Sequence, residues 1–239
     1  MKSVFITGAD RGLGLSLCKE FLSRDWQVFA VKFMEDYFFL EELREKNSNL
    51  HIVRVDLGRE ESIFAAADEV AKNTDVVDML ISNAALMNKV ECKLYDAPMD
   101  LDAPWNSFNV NALGPLRLTR AFLPLMRGGE RRLCYVSSEV SCINLMKTRF
   151  IDDFPYPMSK AAMNMGVRLL HNELFPQGYT FRLFHPGWMK FREQNGELAK
   201  DGKYDPDVIG EIAAKYFETP LGDENRLVMV DYDGYEWPW

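Results

Sequence analysis

Short apolar runs alternate with longer amphipathic stretches along the whole chain, and this alternation constrains the fold more than any other feature of the sequence. Ser3–Thr7, Gln27–Val31, His51–Val55, Val77–Ile81, Arg132–Ser137, Tyr179–Phe184 and Leu227–Val230 have the length and composition of buried strands. Between them, Leu13–Leu22, Leu40–Lys46, Glu60–Lys72, Asp102–Met126, Pro157–Phe175 and Asp207–Phe217 repeat apolar residues at helical spacing. Strands separated by helices are joined by right-handed crossovers. The expectation is an α/β fold, a doubly wound parallel sheet of about seven strands with helices on both faces. At 239 residues and 47% apolar content, the chain suits one such domain over 1–239. Ligands of such sheets bind at the carboxyl ends of the strands. The polar stretch Arg192–Pro206 reads as a mobile loop over that edge.

A formal net charge of −8 repels nucleic acid and anionic membrane, so neither is expected as a partner. A small-molecule substrate fits better. The apolar run Val4–Ile6 is far shorter than a signal-peptide core or a membrane span, which predicts a cytoplasmic protein. Cys18, Cys92, Cys134 and Cys142 form no CxxC. With His51, His171 and His185 they give no zinc spacing, so no metal site is expected and reduced thiols are.

The first strand runs into Thr7-Gly8-Ala9-Asp10-Arg11-Gly12-Leu13-Gly14 and then an amphipathic helix. Here Gly8 permits a tight turn, Gly12 lets the backbone approach a pyrophosphate, and Gly14 lets helix and strand pack closely, with the anion at the helix N-terminus. The Gly-x-x-x-Gly-x-Gly spacing resembles that of the classical short-chain dehydrogenases, a Rossmann-type family. That resemblance implies cofactor contacts from Gly8, Asp10, Arg11, Gly12, Leu13 and Gly14. It extends to Asp56-Leu57 after the third strand, for the adenine. It covers Asn83 and Ala84 in Ser82-Asn83-Ala84-Ala85 after the fourth strand, where Ala85 replaces a glycine.

Cofactor choice is read at the end of the second strand, where a carboxylate selects NAD(H). Val31-Lys32-Phe33 stands there instead. No acid at this point repels a 2′-phosphate, Lys32 offers a cation for one, and Arg11 is a basic residue inside the glycine turn, so NADP(H) is favoured over NAD(H). An ordinary solvated strand end is the other reading of Lys32.

Tyr156-Pro157-Met158-Ser159-Lys160 opens the long amphipathic helix and sets a phenol and an ammonium four residues apart on one face. A free tyrosine, with a pKa of about 10, is a poor proton donor and acceptor near neutrality, and a neighbouring cation lowers that value. Ser138 ends the fifth strand and Asn111 lies in a helix; Ser137 competes with Ser138 for its role. By resemblance, Ser138 and Tyr156 bind a carbonyl oxygen and Tyr156 delivers the proton. Lys160 orients the cofactor ribose, and Asn111 links the lysine to solvent. Tyr156 and Lys160 thereby contact the cofactor as well.

The C-terminal third narrows the resemblance. His185-Pro186-Gly187-Trp188 and Val230-Asp231-Tyr232-Asp233-Gly234 resemble the Sniffer and C-factor type of carbonyl reductases. This implies cofactor contacts from Pro186, Gly187 and Trp188, a carbonyl or alcohol substrate, and a homodimer or homotetramer. Phe191 takes the place of an expected threonine. The stretch around Asn144–Phe154 is longer than in the shortest members and is expected to rim the substrate, with Met146, Phe150, Phe154 and Trp188 as an apolar lining. A dinucleotide sensor with little turnover is the rival reading. A nucleotide-sugar epimerase or dehydratase would need a larger C-terminal domain.

Overall fold

The computed structural model describes residues 1–87, 102–145 and 154–239. In chain order the elements are β1 (Ser3–Ile6), α1 (Gly12–Ser23), β2 (Gln27–Lys32), α2 (Phe39–Lys46), β3 (Leu50–Arg54), α3 (Glu60–Ala71) and β4 (Met79–Ser82). There follow α4 (Asp102–Phe108), a π-helical turn (Asn109–Leu113), α5 (Gly114–Met126), β5 (Arg132–Val136), α6 (Pro155–Leu174), β6 (Thr180–His185), α7 (Pro206–Glu218), β7 (Met229–Asp231) and β8 (Glu236–Trp237). The strands form one sheet in the order β3-β2-β1-β4-β5-β6-β7-β8. All neighbours pair in parallel except β7 and β8, which are antiparallel.

Side chains alternate across the strands, and the sheet therefore has two buried faces. Phe5, Phe29 and Leu80 point into one core, covered by Ile63 and Val70 of α3, Phe122 of α5 and Met163 of α6. Val4, Ile6 and Val28 point into the other, covered by Cys18 and Phe21 of α1 and by Ile209 and Phe217 of α7. Burying both faces requires strands that are apolar throughout, and this is why β1, β4 and β5 are buried at every position.

Three features depart from the sequence reading. β8 is an eighth strand of two residues, too short to carry a periodicity. The single helix expected over Asp102–Met126 is broken by the π turn around Asn111, where the ordinary hydrogen-bond ladder gives way to wider pairing. The Arg192–Pro206 stretch, expected as a mobile loop, is tied down. Met189 bridges Tyr204, Arg192 bridges Leu198, and Arg192 pairs with Asp207 at the start of α7. No helix among the described residues is long and apolar enough to cross a membrane.

Candidate active site

Parallel pairing sends the carboxyl ends of β1 to β6 to one edge, so Gly8, Lys32, Asp56, Asn83, Ser138 and Pro186 all gather there although they are spread along the chain. Gly8 and Gly12 have left-handed backbones, with φ of 64° and 57°. A side chain on Gly8 would press on Ala84, its Cβ 2.8 Å from Ala84 Cα, and one on Gly14 would collide with the Gly8 carbonyl. Gly12 differs: a Cβ there would meet nothing within 4 Å. Leu13 is buried and anchors the helix. No side chain caps α1 at Arg11, so the N-cap side chain takes none of the N–H groups that a helix's first turn leaves without intrahelical partners. A glycine cradle with room above it and uncapped helix donors fits a pyrophosphate.

Asn83 braces this turn from beneath. Its Nδ2 donates to the carbonyls of Thr7 (2.9 Å) and Gly8 (3.2 Å), while the N–H groups of Asn83 and Ala84 donate to Thr7 Oγ1. Asp10 is also spent internally: its Oδ1 accepts from the Phe33 and Met34 N–H groups, and burial raises its carboxyl above the usual range. It shapes the turn after β2. Asp56 Oδ1 accepts from Gly58 N, and Leu57 beside it is buried against Gly114.

Of the two cations, Lys32 is only 2% exposed, and its Nζ donates to Glu41 Oε1 of α2 at 2.6 Å, under the ring of Phe38. Burial is the largest single influence on the Glu41 carboxyl and works to raise it, but the Lys32 hydrogen bond, a backbone hydrogen bond and the charges of Lys32 and Arg54 together leave it below its ordinary value. Lys32 is thus neither a solvated strand end nor an open cation. Arg11 stays at the edge, with its Nη1 on the Tyr37 hydroxyl at 2.7 Å.

On the other side of the crevice, α6 brings Tyr156 and Lys160. Lys160 is 2% exposed, its Nζ donates to the Val136 carbonyl at 2.9 Å, and it lies 5.9 Å from the centre of the Tyr156 ring. Burial pulls the Lys160 ammonium down to about 8. The structure separates the two serines. Ser137 is buried and donates to Asn164 Oδ1 at 2.7 Å, whereas Ser138 is half-buried and opens a helical turn, accepting from Val140 N at 3.4 Å. Asn111 is fully buried in the π turn, with Oδ1 accepting from Leu86 N (2.7 Å) and Nδ2 donating to Leu86 O and Ser159 Oγ, both at 2.9 Å. Its amide is committed, and it links α6 to the segment after β4. Pro186 is buried and Gly187 is left-handed, while Trp188 is 64% exposed. Met146 and Phe150 lie outside the described residues, as does Cys92; Phe154 is half-buried at the entry to α6. Among the described residues no group of His, Cys, Asp and Glu could hold a metal ion.

Sequence reasoning did not single out Glu41, Tyr37, Ser159 or Asn164. Each acts through a partner distant in sequence; only Ser159, inside the Tyr156–Lys160 pentapeptide, carried a positional signal.

The family model for short chain dehydrogenases matches residues 2–201. The chain belongs to the short-chain dehydrogenase family. A Schizosaccharomyces pombe protein named as an uncharacterized oxidoreductase is 31% identical over all of this chain and 98% of its own length. C-signal of Myxococcus xanthus is 35% identical over 70% of this chain and 95% of its own, in keeping with the resemblance read from the C-terminal motifs. Among solved structures, a carbonyl reductase from Pseudomonas aeruginosa in complex with NADP superposes over both full chains with a TM-score of 0.78 and 28% identity. The carbonyl reductase Sniffer of Drosophila melanogaster reaches 0.83 over both full chains at 23% identity, a likeness of fold. As a short-chain dehydrogenase this protein is an NAD(P)H-dependent oxidoreductase.

Proposed function

We propose that this short-chain dehydrogenase is a carbonyl reductase that works with NADP(H) in preference to NAD(H). The observation that carries the reading is the buried Lys160 ammonium beside the Tyr156 ring at the sheet edge, across the crevice from a glycine turn whose helix donors are uncapped. A bound nicotinamide supplies or accepts the hydride. Ser138 and Tyr156 donate hydrogen bonds to the carbonyl oxygen, which stabilises the charge that develops there. The Tyr156 hydroxyl then gives up its proton to that oxygen, and the Lys160 cation lowers the cost of the phenolate left behind. Asn111 keeps this face of α6 in register through Ser159. Pro186, Gly187 and Trp188 would flank the nicotinamide, and Asp56 and Leu57 the adenine.

Two observations support the NADP(H) preference. Arg11 stands at the glycine turn on the Tyr37 hydroxyl, and the Lys32 cation neutralises Glu41, the carboxylate that would otherwise repel a 2′-phosphate. We further infer a cytoplasmic homodimer or homotetramer. The exposed Met165 and Leu169 on α6 give an apolar face for a second copy, to be checked by sedimentation.

The test is a fluorescence titration with NADPH and NADH, followed by a panel of aldehydes, ketones and quinones with reduced-nicotinamide absorbance as readout. Tyr156→Phe should lower turnover by about 10²-fold or more and leave cofactor affinity unchanged. Tight binding without turnover on any carbonyl would favour the sensor reading; no binding of either cofactor would end this one.

A further inference from the structure

Three cations surround the end of β2, and two of them are already neutralised. Lys32 pairs with Glu41, and Arg54, its register partner on β3, pairs with Glu35. Arg11 pairs with no carboxylate among the described residues, yet it is the best held of the three. Its Nη1 donates to the Tyr37 hydroxyl at 2.7 Å. Its Cζ lies 5.0 Å from the centre of the Tyr37 ring and 4.6 Å from that of Phe191. Tyr37 comes from the connection between β2 and α2 and is 7% exposed. Phe191 comes from the segment after β6 and is 39% exposed.

These contacts fix the guanidinium while using one of its five N–H donors. A side chain already held in one orientation loses less freedom on meeting a planar, multidentate anion, so the anion binds more tightly. Aromatic rings attract the cation but accept none of its remaining in-plane donors. The segment carrying Phe191 is itself fixed, because Arg192 pairs with Asp207, which also accepts from Ser16 and Lys19 of α1. The ring is therefore tethered to the same helix that Arg11 introduces.

We propose that Phe191 and Tyr37 are positioning residues that hold Arg11 for the 2′-phosphate and so set the preference for NADP(H) over NAD(H). The proposal rests on the cofactor reading above and adds a determinant far from β2 in sequence.

Dissociation constants and KM values for NADPH and NADH should be measured on the full chain for wild type, Arg11→Ala, Phe191→Ala, Phe191→Tyr and Tyr37→Phe. Phe191→Ala should weaken NADPH roughly fivefold, the size of one exposed cation–π contact. NADH affinity, kcat and thermal midpoint should hold, and Phe191→Tyr should restore NADPH affinity. Tyr37→Phe should act in the same direction through the lost hydrogen bond. If Arg11→Ala abolishes the preference but Phe191→Ala leaves it intact, the positioning role falls and the cofactor reading stands. Equal losses for both cofactors in Phe191→Ala would also overturn the positioning role. A wild-type protein that does not prefer NADPH would remove the premise itself.

Discussion

Lys160 concentrates the conflict between stability and chemistry in a single side chain. Its ammonium is almost fully buried, and the Val136 carbonyl is its one strong acceptor among the described residues. Burial lowers its pKa from the free-lysine value to about 8. Between that value and about 10.5 the unfolded chain holds a proton that the folded chain has shed, so this group makes the protein more stable as pH rises through that window. Below pH 8 the folded state carries the full cost of a buried charge, and that is the form the proposed Tyr156 proton donor would require. Lys160→Met should therefore abolish turnover. Its melting temperature relative to wild type should be highest near pH 7 and fall progressively from pH 8 to 10, as followed by circular dichroism. A difference that stays constant with pH would show that Lys160 is not titrating in that range.

At the scale of elements, the glycine turn separates two functions that lie two residues apart. Gly14→Ala would drive a methyl group into the Gly8 carbonyl and should destabilise the fold outright. Gly12→Ala meets no atom of the chain, so its cost is the left-handed backbone alone, about 1 kcal/mol or a few degrees of melting temperature. Its loss of NADPH affinity should exceed that stability loss, because the methyl would stand in the space proposed for the pyrophosphate. Thermal melts beside cofactor titrations distinguish the two. These elements were legible because burial on both sheet faces imposes continuous apolar runs, and because the Tyr156–Lys160 spacing is local to one helix. The environments of Lys32 and Arg11 were not legible. Whether Lys32 meets solvent or Glu41 depends on how α2 folds back over β2, and no pattern in Val31-Lys32-Phe33 encodes that. At the π turn Asn111 bonds Leu86 and Ser159, 25 and 48 residues away in sequence, and such contacts leave no local pattern around Asn111.

At the scale of the whole molecule, the far edge of the sheet is closed by the chain's own aromatic end. Trp237 donates through Nε1 to Asp231 at 2.9 Å, Arg226 pairs with Glu236, and Arg168 of α6 lies 5.2 Å from the Trp239 ring. Trp237 and Trp239 pack on the core face that also holds Met163 and Val167 of α6. Removing residues 235–239 should lower the melting temperature by roughly 5 °C or more and reduce turnover through α6, as read by calorimetry and activity together. An unchanged midpoint would show that this end adds nothing to the core.

The strand order also dictates when the cleft can exist. β1 is hydrogen-bonded to β2 on one side and β4 on the other, and Ser3 N reaches Asp78 Oδ2 across 75 residues of chain. On a ribosome adding about 5–20 residues per second, the first wall waits roughly 4–15 s for the second. β5 and α6, which place Val136 and Lys160, come later still. A dinucleotide cannot assist the early nascent chain, and the first third, which carries the glycine turn, depends on its own β1-α1-β2 packing, or on chaperones, until the middle of the protein has been made.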